Sequence, residues 1–158
     1  MNEWQKFLAL LDEENRLLRE LGTAALALGD ALIAGDPADI HAAERRLEAQ
    51  RLLHAGAFGR RVSMQRRGFG TLTIMQVCAY APAQIRRRLY GAANELSTST
   101  IALKFTISNN KSLILAGLER LAKTVKLLQR AGVEQTGTYL RRGIVPPPQG
   151  SVIVSRRA

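Results

Sequence analysis

The feature that most constrains the fold is a proline-free stretch from Ala83 to Ala131, which ends just before Gly132. Its seam positions recur every three or four residues, apart from one step of seven between Leu96 and Leu103, and this spacing predicts a helix. Residues 101–107 also alternate apolar and polar, as a strand would, but a lone strand has nothing to pair with. We therefore expect one long helix over 83–131, with its middle buried between two neighbouring helices. The seam positions are Leu89, Ala92, Leu96, Leu103, Ile107, Asn110, Ile114, Leu118, Leu121, Val125 and Leu128.

An earlier stretch, about residues 3–34, has the same kind of pattern. Asn2 followed three residues later by Gln5 is a typical helix start, because both side chains can bond backbone N–H groups. An apolar seam then continues to Leu32 and predicts packing against other helices. Asn15 is the one polar residue in that seam. It either sets the register against a neighbouring helix or is exposed.

The sequence Gly35-Asp36-Pro37 combines a helix end with a helix start. So short a connection predicts that a second helix, about residues 37–55, runs antiparallel to the first. Four glycines and two arginine pairs then indicate a basic loop over 56–70. This loop lacks the order of Gly, Lys and Ser/Thr that a phosphate-binding loop needs. A short apolar helix over 71–81 follows and ends at Pro82.

These elements predict an all-α fold, an antiparallel bundle of long helices formed by residues 1–131. The aromatic content of only 5 % suits helix-on-helix packing better than a β-sandwich. After Gly132 the helical pattern stops, and the glycines and prolines of residues 132–158 predict a mobile tail.

Composition also bears on the compartment. The single cysteine, Cys78, lies in an apolar run, so we expect it to be buried in a protein of a reducing compartment. No secretory signal or apolar span of about 20 residues is visible. We expect a soluble, cytoplasmic protein with no membrane insertion.

The formal net charge of +10 raises the possibility of nucleic-acid binding. The arginines, however, fall in pairs scattered along the chain, and few aromatic residues lie near them to stack on bases. We therefore interpret the charge as a solvated basic surface and do not expect a nucleic-acid partner.

No pattern of catalytic residues is present, so we expect a protein that is not an enzyme and has no small-molecule substrate. His41 and His54 do not have a metal-ligand spacing, and no Cys, Asp or Glu pattern completes a site. We expect no metal and no cofactor. Tyr139 is the only aromatic residue of the tail. It is either idle or an anchor that fills a pocket of a partner.

The stretch from Asn110 to Gly143 resembles the FlgN family of flagellar type III export chaperones. The similar features are Asn110 followed by Leu113-Ile114, the sequence Gly-Leu-Glu-Arg at 117–120, and the Leu-Leu pair at 127–128. Further on come the motif Thr-x-Tyr-x-x-x-Gly, with Tyr139 and Gly143, and the basic finish VIVSRR.

The resemblance implies a left-handed, coiled-coil-like bundle that binds hook–filament junction (hook-associated) proteins and delivers them to the flagellar export gate. The C-terminal helical segment of the cargo would bind in a groove formed by apolar residues of the long helix. Tyr139 and Gly143 would bind the cytosolic domain of the gate. The implied cargo contacts are Asn110, Leu113, Ile114, Leu118, Leu121, Val125 and Leu128.

Two alternatives remain open. A basic helical nucleic-acid-binding protein would show affinity that falls steeply with salt. A generic coiled-coil scaffold would associate with itself and hold no discrete cargo.

Overall fold

The structure, a computed structural model, describes the backbone of residues 2–141 and the side chains of residues 2–131. The described residues form four helices and no strand, so the predicted all-α fold is confirmed. The helices are α1 (Glu3–Ala34), α2 (Pro37–Phe69), α3 (Ile74–Tyr80) and α4 (Ala83–Arg141). The chain divides into two compact units, Met1–Ile114 (unit 1) and Leu115–Ala158 (unit 2).

The ends of α1 form from local chemistry, as predicted. The Gln5 backbone N–H donates to Asn2 Oδ1 at 2.9 Å, and the Asn2 N–H donates to the Gln5 side chain. At the other end Gly35 has φ 77°, a left-handed conformation that favours glycine, and its N–H donates to the Ala31 carbonyl at 2.9 Å. Asp36 then caps α2.

The predicted antiparallel packing of α1 and α2 is confirmed. The start of α1 lies against the end of α2, where the Trp4 and Phe69 rings have centroids 4.7 Å apart. Further along α1 and further back along α2, Arg60 Nη2 lies 2.9 Å from Glu13 Oε1. Pairing that advances on one helix while it retreats on the other is the mark of antiparallel helices.

The predicted loop over 56–70 is wrong, because α2 continues as a helix to Phe69. Each glycine in a helix interior costs about 1 kcal/mol relative to alanine. Here that cost is offset by tertiary contacts, since Ala57 and Arg61 on the same helix are buried within unit 1. A Cβ atom at Gly59 would meet no neighbouring atom, so the glycines are not required by close packing.

The short helix α3 lies inside the predicted range 71–81. Thr73 caps it, in a reciprocal arrangement with Gln76. Val77 and Cys78 are fully buried, which confirms the prediction for the cysteine, and burial raises the pKa of the Cys78 thiol.

Helix α4 confirms the predicted helix over 83–131 and rejects the strand alternative for residues 101–107. Its backbone remains helical to Arg141, ten residues beyond the predicted end of the helix at Ala131. The rest of the predicted tail, 142–158, lies outside the described residues. The middle of α4 is also not buried on two sides, because Ile101 and Phe105 are 66 % and 68 % exposed.

Within unit 1, α4 runs parallel to α1. The Asn15 side-chain amide of α1 donates to the Ala92 carbonyl of α4 at 2.9 Å. Further along both helices, the Asn110 side-chain amide of α4 donates to the Ala25 carbonyl of α1. The core of unit 1 forms between these helices and α3. Its fully or nearly fully buried members are Phe7, Leu8, Leu11, Leu18, Leu21, Val77, Cys78, Ala81, Leu89, Ala92, Ala93 and Leu96.

Candidate functional site

Asn110, predicted as a cargo contact, is a buried helix-pairing residue. It is 7 % exposed, and its Nδ2 donates to the Ala25 carbonyl of α1 at 2.7 Å. A Cβ atom at Gly29 would lie 2.7 Å from Asn110 Oδ1, so the glycine is needed for this close approach. Asn110 therefore joins α4 to α1 and does not belong to an exposed cargo surface.

Asn15 and Asn110 form a reciprocal pair of bridges between α1 and α4. Each donates its amide hydrogens to a backbone carbonyl of the other helix. A one-turn slip would leave both buried amides without these acceptors, at a cost of about 1–3 kcal/mol each. Of the two alternatives for Asn15, the structure supports the one in which it sets the register.

The remaining six predicted cargo residues are exposed, and they fall in both units. Leu113 and Ile114 belong to unit 1 and are 36 % and 44 % exposed. The other four belong to unit 2, where every residue from 115 to 131 is exposed.

We call the four unit-2 residues the leucine stripe. They recur at spacings of three, four and three, so they share one side of the helix. Their exposed fractions lie between 42 % and 67 %, far above those of core leucines. The leucine stripe consists of Leu118, Leu121, Val125 and Leu128.

The rest of the helix surface over residues 115–131 is mainly basic, although Leu115 and Leu127, which are 55 % and 64 % exposed, also lie outside the leucine stripe. It carries four basic residues and one acidic residue, Glu119, which lies 2.7 Å from Lys123 Nζ. At about 3.6 residues per turn, Lys123 and Arg130 lie on the side of the helix opposite Leu121 and Val125. The other two basic residues, Arg120 and Lys126, lie between these sides. This part of α4 is therefore an amphipathic helix with a basic polar face.

The two residues predicted to bind the export gate are not described at side-chain level. The backbone of Tyr139 belongs to α4, so this residue is on a helix where an extended tail was predicted. Gly143 lies outside the described residues.

One buried site was missed at the sequence level. Glu14 and Arg61 form an ion pair between α1 and α2, with Nε to Oε2 at 2.5 Å and Nη2 to Oε1 at 3.3 Å. Both side chains are almost fully buried. Arg61 also donates to Gln65 Oε1 at 2.7 Å, and Gln65 donates to the Leu72 carbonyl at 2.6 Å. The network connects α1, α2 and the turn before α3.

The missed signal is heptad spacing. Phe7, Glu14, Leu21 and Leu28 are seven residues apart, so a glutamate occupies an apolar position of α1. A carboxylate at such a position needs a buried cation as its partner. Only the tertiary structure identifies that cation as Arg61.

Histidine and acidic side chains do not converge in the part of the chain that the structure describes, where no group of three or more potential metal ligands is found. His41 is exposed and lies 3.7 Å from Glu44 of its own helix. No helix among residues 2–141 is long and apolar enough to cross a membrane.

Comparison with known proteins identified no relative: no family model, curated protein or solved structure matches the chain.

Proposed function

We propose that the protein is a cytoplasmic export chaperone that holds hook–filament junction proteins and delivers them to the flagellar type III export gate. The observation that carries the proposal is the leucine stripe, four apolar side chains of a long helix that are 42–67 % exposed. Burying the exposed part of each side chain would contribute about 1–2 kcal/mol before the costs of association. The resemblance of residues 110–143 to the FlgN family supplies the identity of the partner.

The proposed cargo site contains fewer residues than the resemblance to the FlgN family implies. Asn110 joins α4 to α1 inside unit 1, so we leave this residue out of the proposed cargo surface. The surface that we propose is the leucine stripe of unit 2. An amphipathic terminal helix of a junction protein would bury these residues in the helix-in-groove mode.

Calorimetric titration of the full chain with a peptide of the C-terminal helical segment of a junction protein tests this site. We expect Leu121→Ser combined with Leu128→Ser to weaken binding at least about tenfold, because two apolar contacts are lost. The matched control is Leu52→Ser with Leu53→Ser on α2, where the side chains are 59 % and 54 % exposed. Equal weakening by the control pair would contradict the assignment of the leucine stripe.

Gate delivery is tested with the cytosolic domain of the export gate and Tyr139→Ala. We expect this variant to lose gate binding and motility, because an aromatic anchor contributes several kcal/mol when it fills a pocket. Tyr80→Ala is the control, since Tyr80 is 71 % exposed on α3. If Tyr139→Ala leaves both gate binding and motility unchanged, the role assigned to this tyrosine is wrong.

The two other functional classes make different predictions for the unmodified chain. A nucleic-acid-binding protein would shift a DNA band at low salt and lose it at high salt. A coiled-coil scaffold would sediment as an oligomer and bind no junction peptide. Either result without peptide binding would contradict the export proposal.

A further inference from the structure

Residues 115–131 of α4 combine two exposed surfaces, and the one ion pair found among their described side chains joins Lys123 to Glu119. The leucine stripe is exposed along one side. Arg120, Lys123, Lys126 and Arg130 lie on the rest of the helix surface, together with one glutamate and two further exposed leucines, Leu115 and Leu127. A partner that satisfies both surfaces must be apolar at its centre and negatively charged around it.

A second copy of the chain does not fit this requirement. Two copies that paired through their leucine stripes would bring Arg120 and Lys126 of one copy close to those of the other, and like charges at adjacent positions are destabilising. Nucleic acid fits the charge but not the stripe. Phosphate contacts would leave four apolar side chains exposed to water, and residues 115–131 contain no aromatic side chain on which bases could stack.

We infer that residues 115–131 bind the surface of an anionic lipid bilayer, with the helix lying along the interface. The leucine stripe would be buried at the boundary between headgroups and acyl chains, while the basic side chains meet anionic headgroups. Lying on a bilayer differs from crossing it, so the inference does not require a membrane span. It involves the same leucine stripe as the proposed cargo site, but it does not rest on the proposed role in export.

The placement of the charges favours a lipid surface over an acidic protein helix. A partner helix on the leucine stripe reaches the flanking residues Arg120 and Lys126, but not Lys123 and Arg130 on the far side. The potential of an anionic bilayer extends about 8–10 Å at physiological salt, close to the helix diameter of about 10 Å. All four basic residues therefore contribute to lipid binding.

The experiment is co-sedimentation of the full-length protein with phosphatidylcholine vesicles, with and without phosphatidylglycerol. We expect binding to the vesicles that contain phosphatidylglycerol, and much weaker binding to phosphatidylcholine alone. Raising the salt from about 0.1 M to about 1 M shortens the screening length to about 3 Å and should weaken binding.

Two pairs of variants locate the surface. Lys126→Gln with Arg130→Gln should weaken binding about tenfold or more, at about fivefold for each cation removed. Arg45→Gln with Arg46→Gln, at two exposed positions of α2, removes the same charge and should have little effect. Leu121→Ser with Leu128→Ser should also weaken binding at least about tenfold, whereas Leu52→Ser with Leu53→Ser should not.

The inference is overturned if the unmodified protein fails to bind phosphatidylglycerol vesicles, or if it binds phosphatidylcholine equally well. It is also overturned if either α2 control pair weakens binding as much as its α4 counterpart. Loss of lipid binding in the charge variant with retained binding of the junction peptide would support it and leave the export proposal intact. Failure of peptide binding with normal lipid binding would contradict the export proposal alone.

Discussion

Two parts of one helix, residues 83–96 and residues 115–131 of α4, carry the same type of apolar seam but differ in burial. Leu89 and Leu96 in unit 1 are 0 % and 8 % exposed, whereas Leu121 and Leu128 in unit 2 are 61 % and 67 % exposed. The residue types and spacings are alike, so the seam itself does not decide burial. The difference lies in α1, which covers the first part within unit 1.

Breaking a buried ion pair should change the free energy of unfolding most, and breaking an exposed pair provides the comparison. Glu14→Gln leaves the Arg61 guanidinium buried without a counter-charge, so we expect the free energy of unfolding to fall by about 4 kcal/mol. Glu119→Gln breaks a pair whose side chains are about 70 % exposed and should cost less than about 0.5 kcal/mol. Urea denaturation followed by circular dichroism measures both. Similar losses would show that the Glu14 pair is open to water.

Leucine truncation tests the two parts of α4 directly. Leu89→Ala should lower the free energy of unfolding by about 3 kcal/mol, because it creates a cavity in the core of unit 1. Leu121→Ala should change it by less than about 0.5 kcal/mol, since its side chain is already exposed. The same urea titration applies. A loss of several kcal/mol for Leu121→Ala would mean that the leucine stripe is buried in solution. The two parts of α4 would then not differ in burial.

Alanine substitutions at two neighbouring asparagines should give the smallest change in the free energy of unfolding. Asn110→Ala removes the hydrogen bond to the Ala25 carbonyl and should cost about 1 kcal/mol. Asn109→Ala, at the adjacent exposed position, should be neutral or slightly stabilising, because alanine is the better helix former. Thermal unfolding resolves the difference as a shift in Tm. If Asn109→Ala is the more damaging change, Asn110 does not hold the register of α1 and α4.

The predictions that were correct rest on local chemistry. The caps at Asn2, Gly35 and Asp36 act within a few residues, so the ends of α1 and the start of α2 could be placed from the sequence. The end of α2 could not be placed in this way. Its glycines favour a loop, and tertiary contacts keep the helix intact to Phe69, among them the burial of Ala57, the pairing of Arg61 with Glu14 and the packing of Phe69 on Trp4.

The candidate site shows the same division between local and tertiary information. Spacing alone placed Leu118, Leu121, Val125 and Leu128 on one side of a helix. It also placed Asn110 there, because position in a seam does not reveal whether a neighbour covers it. The carbonyl of Ala25 and the bare Cα of Gly29, distant in sequence, give Asn110 its buried position.

The amino-acid sequence by itself determined that the chain is helical, that α4 is long, and that its seam is apolar, because periodicity and propensity act along the chain. Only the tertiary structure decided which parts of that seam are covered. Burial depends on where α1 lies, and α1 carries the asparagine, the glycine and the glutamate that hold its neighbours in register. In residues 115–131 no such contact covers the described side chains of the leucine stripe, which is why that surface carries the functional proposals.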